Sequence, residues 1–123
     1  MRTLLIIGTG GFIGSIFRYL VSKSVQEKFT TAFPFGTLSV NILGCFLIGV
    51  VLSWSERGGL NADWRMFLAT GICGGFTTFS AFSNETLALM RDGQWIYAGV
   101  YIAFSIITGL AATFTGYSLL KLI

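Results

Sequence analysis

Residues 74 to 85 read GGFTTFSAFSNE, a run of hydroxyls, aromatic rings and one acid inside an otherwise apolar stretch. A helix would set Phe79 and Phe82 on one face, with Ser80 and Ser83 beside them and Glu85 and Thr86 a turn further on. Gly74 and Gly75 weaken a helix just before the rings, and Thr77 and Thr78 favour local, non-helical hydrogen bonds. An interrupted helix is therefore expected here. Carbonyls at such an interruption can coordinate a bare cation, while the N-terminus of the resumed half-helix favours an anion. Ordinary packing of the two rings against lipid or a neighbouring helix is the competing reading.

Two further residues could bear on an ion. Asn41 lies near the middle of an apolar segment, where its amide has no local partner. It must meet another helix or a ligand. Arg18, near the end of the first apolar segment, could extend to the interface or attract anions at a vestibule. Cys45 and Cys73 each sit in apolar surroundings and read as small buried hydrophobes, with none of the usual metal spacings around them. The chain has no histidine, which removes Ser-His and Cys-His nucleophiles, and both aspartates, Asp63 and Asp92, fall between apolar segments. Enzymatic chemistry has no residues to use.

The elements that must hold these residues follow from composition. Of 123 residues, 54% are hydrophobic and only 11% are charged, against about 25% charged in soluble domains. A water-soluble domain of this length cannot hide so much apolar surface. The solvent is lipid, and one domain covers the chain. The expected fold is an all-α membrane protein of four spans, near residues 3–22, 35–55, 65–90 and 95–120, each close to the ~20 residues needed to cross the hydrocarbon. Trp54, Trp64, Trp95 and Tyr97 fall at segment ends, as in an interfacial aromatic belt. Pro34 precedes the second span, where its missing N–H costs nothing.

Two local patterns imitate other signals. The first span begins after Arg2 like a signal peptide, but GTGGFIGS runs on into IFRYLV without a small-residue cleavage pattern. IIGTGGFIG with Glu27 downstream imitates a dinucleotide-binding turn, yet no alternating strand and helix pattern follows. Close helix packing through the Gly10–Gly14 pair accounts for these glycines. No clustered basic face exists for nucleic acid.

With four spans, Arg2, Arg57, Arg65 and Lys121 share one side of the membrane, and Arg18, Lys23, Lys28 and Arg91 share the other. Orientation is chosen by an excess of Lys and Arg on one side, and here the sides balance. Both orientations are open, which makes an antiparallel homodimer accessible. A lone four-helix bundle packs shut, so an ion pathway is expected along a subunit interface.

GGFTTFSAFSNE closely resembles the third-span signature of the CrcB/Fluc fluoride-channel family. GGFIGSIFRY resembles its first-span motif ending in arginine, and FGTLSVNILG its second-span motif with a central asparagine. The resemblance implies a dual-topology, antiparallel homodimer in the cytoplasmic (inner) membrane. It further implies two fluoride pathways and a structural sodium ion on the dimer axis. Carried over, Phe79 and Phe82 would present ring edges to fluoride, since aromatic edges carry positive charge density. Asn41 would donate its amide, Ser80 its hydroxyl, and Arg18 would draw anions in. Backbone carbonyls of Gly74 and Thr77 would hold sodium, and Tyr101, Ser105 and Thr113 would form the polar positions of the fourth span. Ala81 stands where the family commonly has threonine, and Gly109 where a serine is frequent. The implied activity is passive fluoride export.

A small dual-topology proton-coupled drug exporter is the alternative. It needs a titratable carboxylate deep in the bundle, and Glu85 is the only acid inside a span. A non-conducting assembly subunit would have no use for the polar run of the third span.

Overall fold

A computed structural model describes residues 1–122. Helix α1 (Arg2–Gln26) runs past Ser22, where the apolar pattern ends, because Lys23–Gln26 contains neither glycine nor proline. The chain then turns through Thr30 and Thr31, and Pro34 caps α2 (Phe35–Glu56). Gly58 ends that helix at φ 78°, and the Gly59 amide donates to the Trp54 carbonyl at 3.1 Å. This left-handed cap favours a residue without Cβ.

The third crossing is composite. Asn61 caps the short α3 (Ala62–Arg65), its side chain accepting from the Trp64 amide. A π-helical stretch, Met66–Cys73, follows, and then one helical turn, α4 (Gly74–Phe76). Thr77 (φ −82°, ψ 156°) and Thr78 (φ −151°, ψ 119°) take extended backbone. Helix α5 (Phe79–Arg91) completes the crossing, and Gly93, again at φ 78°, turns the chain into α6 (Trp95–Leu119). A 3₁₀ turn, Leu120–Leu122, closes the described chain.

Ala62–Arg91 together spans 30 residues, so among the described residues there are four helical segments long and apolar enough to cross a membrane. Expected and observed limits agree to within a few residues. One expectation is corrected. Gly74 and Gly75 do not loosen the helix, and Gly74 sits at φ −63°, ψ −38°, with no need of positive φ. Gly75 serves close approach instead, since a Cβ there would lie 2.6 Å from the Gly11 carbonyl oxygen.

Glycines decide which helices cross closely. A Cβ at Gly10 would come within 2.9 Å of the Gly71 Cα, and one at Gly14 within 2.9 Å of the Phe76 amide nitrogen. The Gly10–Gly14 pair thus seats α1 on the third crossing, as its spacing predicts. On the other side Gly49 of α2 lies against the Thr113 carbonyl, and Gly116 of α6 against the Phe46 carbonyl. Helix α1 therefore pairs with the third crossing and α2 with α6. Between them Leu38, Leu89, Ala98 and Tyr101 form a buried cluster, with Phe33, Ile42, Phe82 and Met90 packed on it.

Polar contacts at the ends match this arrangement. Arg2 pairs with Asp63 at 2.5 Å, and Arg57 donates to the Leu120 carbonyl, so the N-terminus, the second connection and the end of α6 lie at one end. At the other end the Gln26 side-chain oxygen accepts from the Gly36 amide at 2.9 Å, while its nitrogen donates to the Phe33 carbonyl at 3.2 Å. Gln26 thereby fixes where α2 begins.

Candidate functional site

Two extended threonines free backbone groups that a continuous helix would pair. In a lipid solvent each orphan costs several kcal/mol. Asn41 on α2 meets both groups of Thr78: its Oδ1 accepts from the Thr78 amide at 2.9 Å, and its Nδ2 donates to the Thr78 carbonyl at 3.1 Å. A primary amide carries two donor hydrogens, so this pairing engages one and leaves the second. Thr78 also caps α5, its hydroxyl accepting from the Ala81 amide at 3.1 Å. The Thr77 hydroxyl donates back to the Cys73 carbonyl at 2.9 Å. Arg18 reaches across from α1, and its Nε donates to the Gly75 carbonyl at 3.1 Å. That bond draws the guanidinium toward the gap rather than out along the interface.

Immediately beyond the gap come the rings. Phe79, the first residue of α5, is 78% exposed. Phe82, one turn on, lies 5.4 Å from it between ring centroids and 5.1 Å from the Tyr101 ring. The two phenylalanines share a face, as their spacing predicts, but they differ in support. Phe82 is anchored in the core and Phe79 is not.

A cleft of about 400 Å³ runs beside these groups, lined by Asn41, Cys45, Thr77, Phe79, Phe82 and Ser105 among others. A second cleft of about 510 Å³ is lined by Arg18, Lys23, Thr37, Thr78, Ala81 and Glu85 among others. Thr78 borders both, so the Asn41–Thr78 pair stands where one cleft gives way to the other. The first cleft gathers Asn41, Phe79, Phe82, Ser105, Gly74 and Thr77; Arg18 falls in the second. Ser80, Tyr101 and Thr113 line neither. Ser80 lies 3.2 Å from the Thr78 hydroxyl, Tyr101 is fully buried, and Thr113 sits at the α2–α6 crossing.

Sequence reasoning gave Thr37 no role, although it does have one contact of consequence. Its hydroxyl donates to Glu85 Oε2 at 2.8 Å, and the Tyr101 hydroxyl donates to Oε1 at 3.2 Å. Both carboxylate oxygens are thus held from other helices. Thr37 and Asn41 are four apart on α2, so one stripe of that helix supports the acid and the gap. That spacing was the available signal.

Residues 5–117 match the family model described as CrcB-like protein, Camphor Resistance (CrcB). The chain belongs to the CrcB-like family. It is 48% identical over 123 residues to the "Fluoride-specific ion channel FluC" of Chlorobaculum tepidum, covering 99% of this chain and 97% of the relative. The protein of the same name from Phocaeicola vulgatus is 47% identical over 116 residues, covering 94% and 96%. That from Leptospira interrogans is 45% identical over 121 residues, covering 98% and 95%. The matched range, residues 5–117, includes part or all of each of the four crossings.

Proposed function

We propose that this protein is a fluoride-selective channel that releases the anion passively across the cytoplasmic (inner) membrane. The observation that carries the reading is the placement of two phenylalanine rings and an amide with a spare N–H along one cleft in a lipid-spanning bundle. Fluoride is small and firmly hydrated, so a path for it must replace water with close donors. Ring edges and an amide N–H do that without a fixed positive charge. Near-full-length relatives named as fluoride-specific channels support the assignment. A proton-coupled exporter has less support, because Glu85 is already engaged by Thr37 and Tyr101. The test is fluoride efflux from liposomes containing only this protein. Rapid fluoride efflux with chloride retained is expected; equal release of both ions, or of neither, removes the reading.

The working unit is an antiparallel homodimer. In one copy the first cleft exposes polar groups, Ser105 and the second N–H of Asn41 among them, that lipid cannot pair, and Phe79 projects from the subunit, 78% exposed. A second copy would cover them, and the balanced Lys and Arg distribution allows it to insert inverted. Sodium suits the interruption of the third span. Hard cations take oxygen ligands, and the amide that a continuous helix would give the Gly74 carbonyl, that of Thr78, goes to Asn41 instead. The Thr77 carbonyl leaves the helical direction at ψ 156°. The carbonyls of Gly74 and Thr77 would hold the ion, which would supply charge that ties two negative backbone ends together. Single cysteines at the two membrane faces should crosslink in inverted pairs, and the washed dimer should retain sodium by elemental analysis. A uniform orientation refutes the antiparallel arrangement, and a sodium-free, fully assembled dimer refutes the ion.

A further inference from the structure

Cys45 follows Asn41 by one helical turn, so both lie on one stripe of α2 and both line the first cleft. Across the cleft, α6 repeats the spacing with Ser105 and Gly109. A Cβ added at Gly109 would meet the Cys45 sulfur at 3.5 Å. Helix α6 thus offers backbone alone where the Cys45 side chain stands. The thiol fills the position that a side chain at 109 would otherwise share, and it sits one turn from the amide held on Thr78. Cys45 is half-buried, whereas Cys73 reaches the same cleft from the third crossing but is buried; neither is in a disulfide.

We propose that Cys45 is a pathway residue, its thiol forming the cleft wall opposite Gly109 and setting the passage beyond the two phenylalanines. This rests on the fluoride pathway running through the first cleft. A thiol is a weak donor compared with a hydroxyl, so it narrows the path while holding the anion only loosely. It also makes this channel closable by thiol chemistry, because an added group at the sulfur has nowhere to go but the cleft.

The probe is methyl methanethiosulfonate, small and uncharged. The Cys45 sulfur bonds to the reagent's methylthio sulfur, the thiosulfonate S–S bond breaks, methanesulfinate departs and the thiol proton passes to buffer. Fluoride efflux from treated proteoliposomes should fall roughly tenfold or more, as expected when a narrow path is plugged. C73S protein should be blocked in the same way. Flux through C45S, whatever its basal rate, should survive the reagent. If C45S fails to assemble, G109A in the C73S background serves instead, since its methyl contacts the sulfur and should slow labelling and block together. Three results overturn the proposal: Cys45 labelled by peptide mass spectrometry with flux intact, Cys45 unlabelled after exhaustive treatment, or block persisting in C45S. Untreated wild-type efflux tests the parent reading by itself. Normal efflux alongside any of those three results keeps the channel and removes Cys45 from its path.

Discussion

Phe79→Ile should leave the subunit's melting unchanged and cut fluoride efflux by about tenfold or more, a rise of at least ~1.4 kcal/mol in the barrier to passage. The ring is 78% exposed in the subunit, so exchanging it for an aliphatic of similar bulk removes little intramolecular packing. What it does remove is the positive ring edge, the only property of Phe79 suited to a dehydrated anion. Phe82→Ile should slow flux comparably, with an added stability cost of about 1 kcal/mol because the ring packs on the core cluster beside Tyr101. The pair separates two roles that a single substitution would confuse. Wild-type flux through a folded Phe79→Ile dimer would reduce the rings to packing, whatever Phe82→Ile did.

Asn41→Leu should be the most damaging single change, with efflux abolished and the melting temperature sharply lower. It strands the Thr78 amide and carbonyl together, at about 1–3 kcal/mol for each buried group left unpaired. Asn41→Asp separates structure from conduction. Its carboxylate can still accept from the Thr78 amide, but it faces the Thr78 carbonyl oxygen without a donor hydrogen and sets a negative charge in the anion's path. It should melt above Asn41→Leu and still fail to pass fluoride. Thermal melting in detergent and efflux from liposomes measure the two effects. Fluoride flux near wild type in Asn41→Asp would show that the amide only braces the backbone.

The four crossings were legible in the sequence because lipid imposes one requirement on every span, a length of apolar chain. The common face of Phe79 and Phe82 was legible for a similar reason, since helical spacing fixes it locally. The extended backbone falls at Thr77 and Thr78, within the stretch where an interruption is expected, but not at the two glycines before them. Propensity treats Gly74 and Gly75 as weak points, but tight packing of Gly75 on Gly11 keeps that turn helical. Thr77 and Thr78 extend because Asn41, 37 residues away from Thr78, supplies the missing partners. No window along the chain contains that bond. The grip of Thr37 on Glu85 spans 48 residues and was hidden in the same way. Tyr101, a pathway position by resemblance, is fully buried in the subunit beside Phe82, and its hydroxyl donates to Glu85, a contact that its spacing in the chain does not announce.

The glycine crossings also constrain the order of assembly. Helix α1 finds its glycine-lined seat, Gly10 and Gly14, on the third crossing, and α2 meets α6 backbone to backbone at Gly49 and Gly116. Neighbours in sequence are not the tightest neighbours in space. As the chain emerges, the first two spans must therefore wait in the bilayer, each without its closest partner, until later spans arrive. The α2–α6 seam closes last, since it needs residues as late as Gly116. During that wait Asn41 has no Thr78 to hold. Its exposed amide is then the feature most open to capture by a wrong helix, so the group that braces the finished site is also the chief hazard in building it.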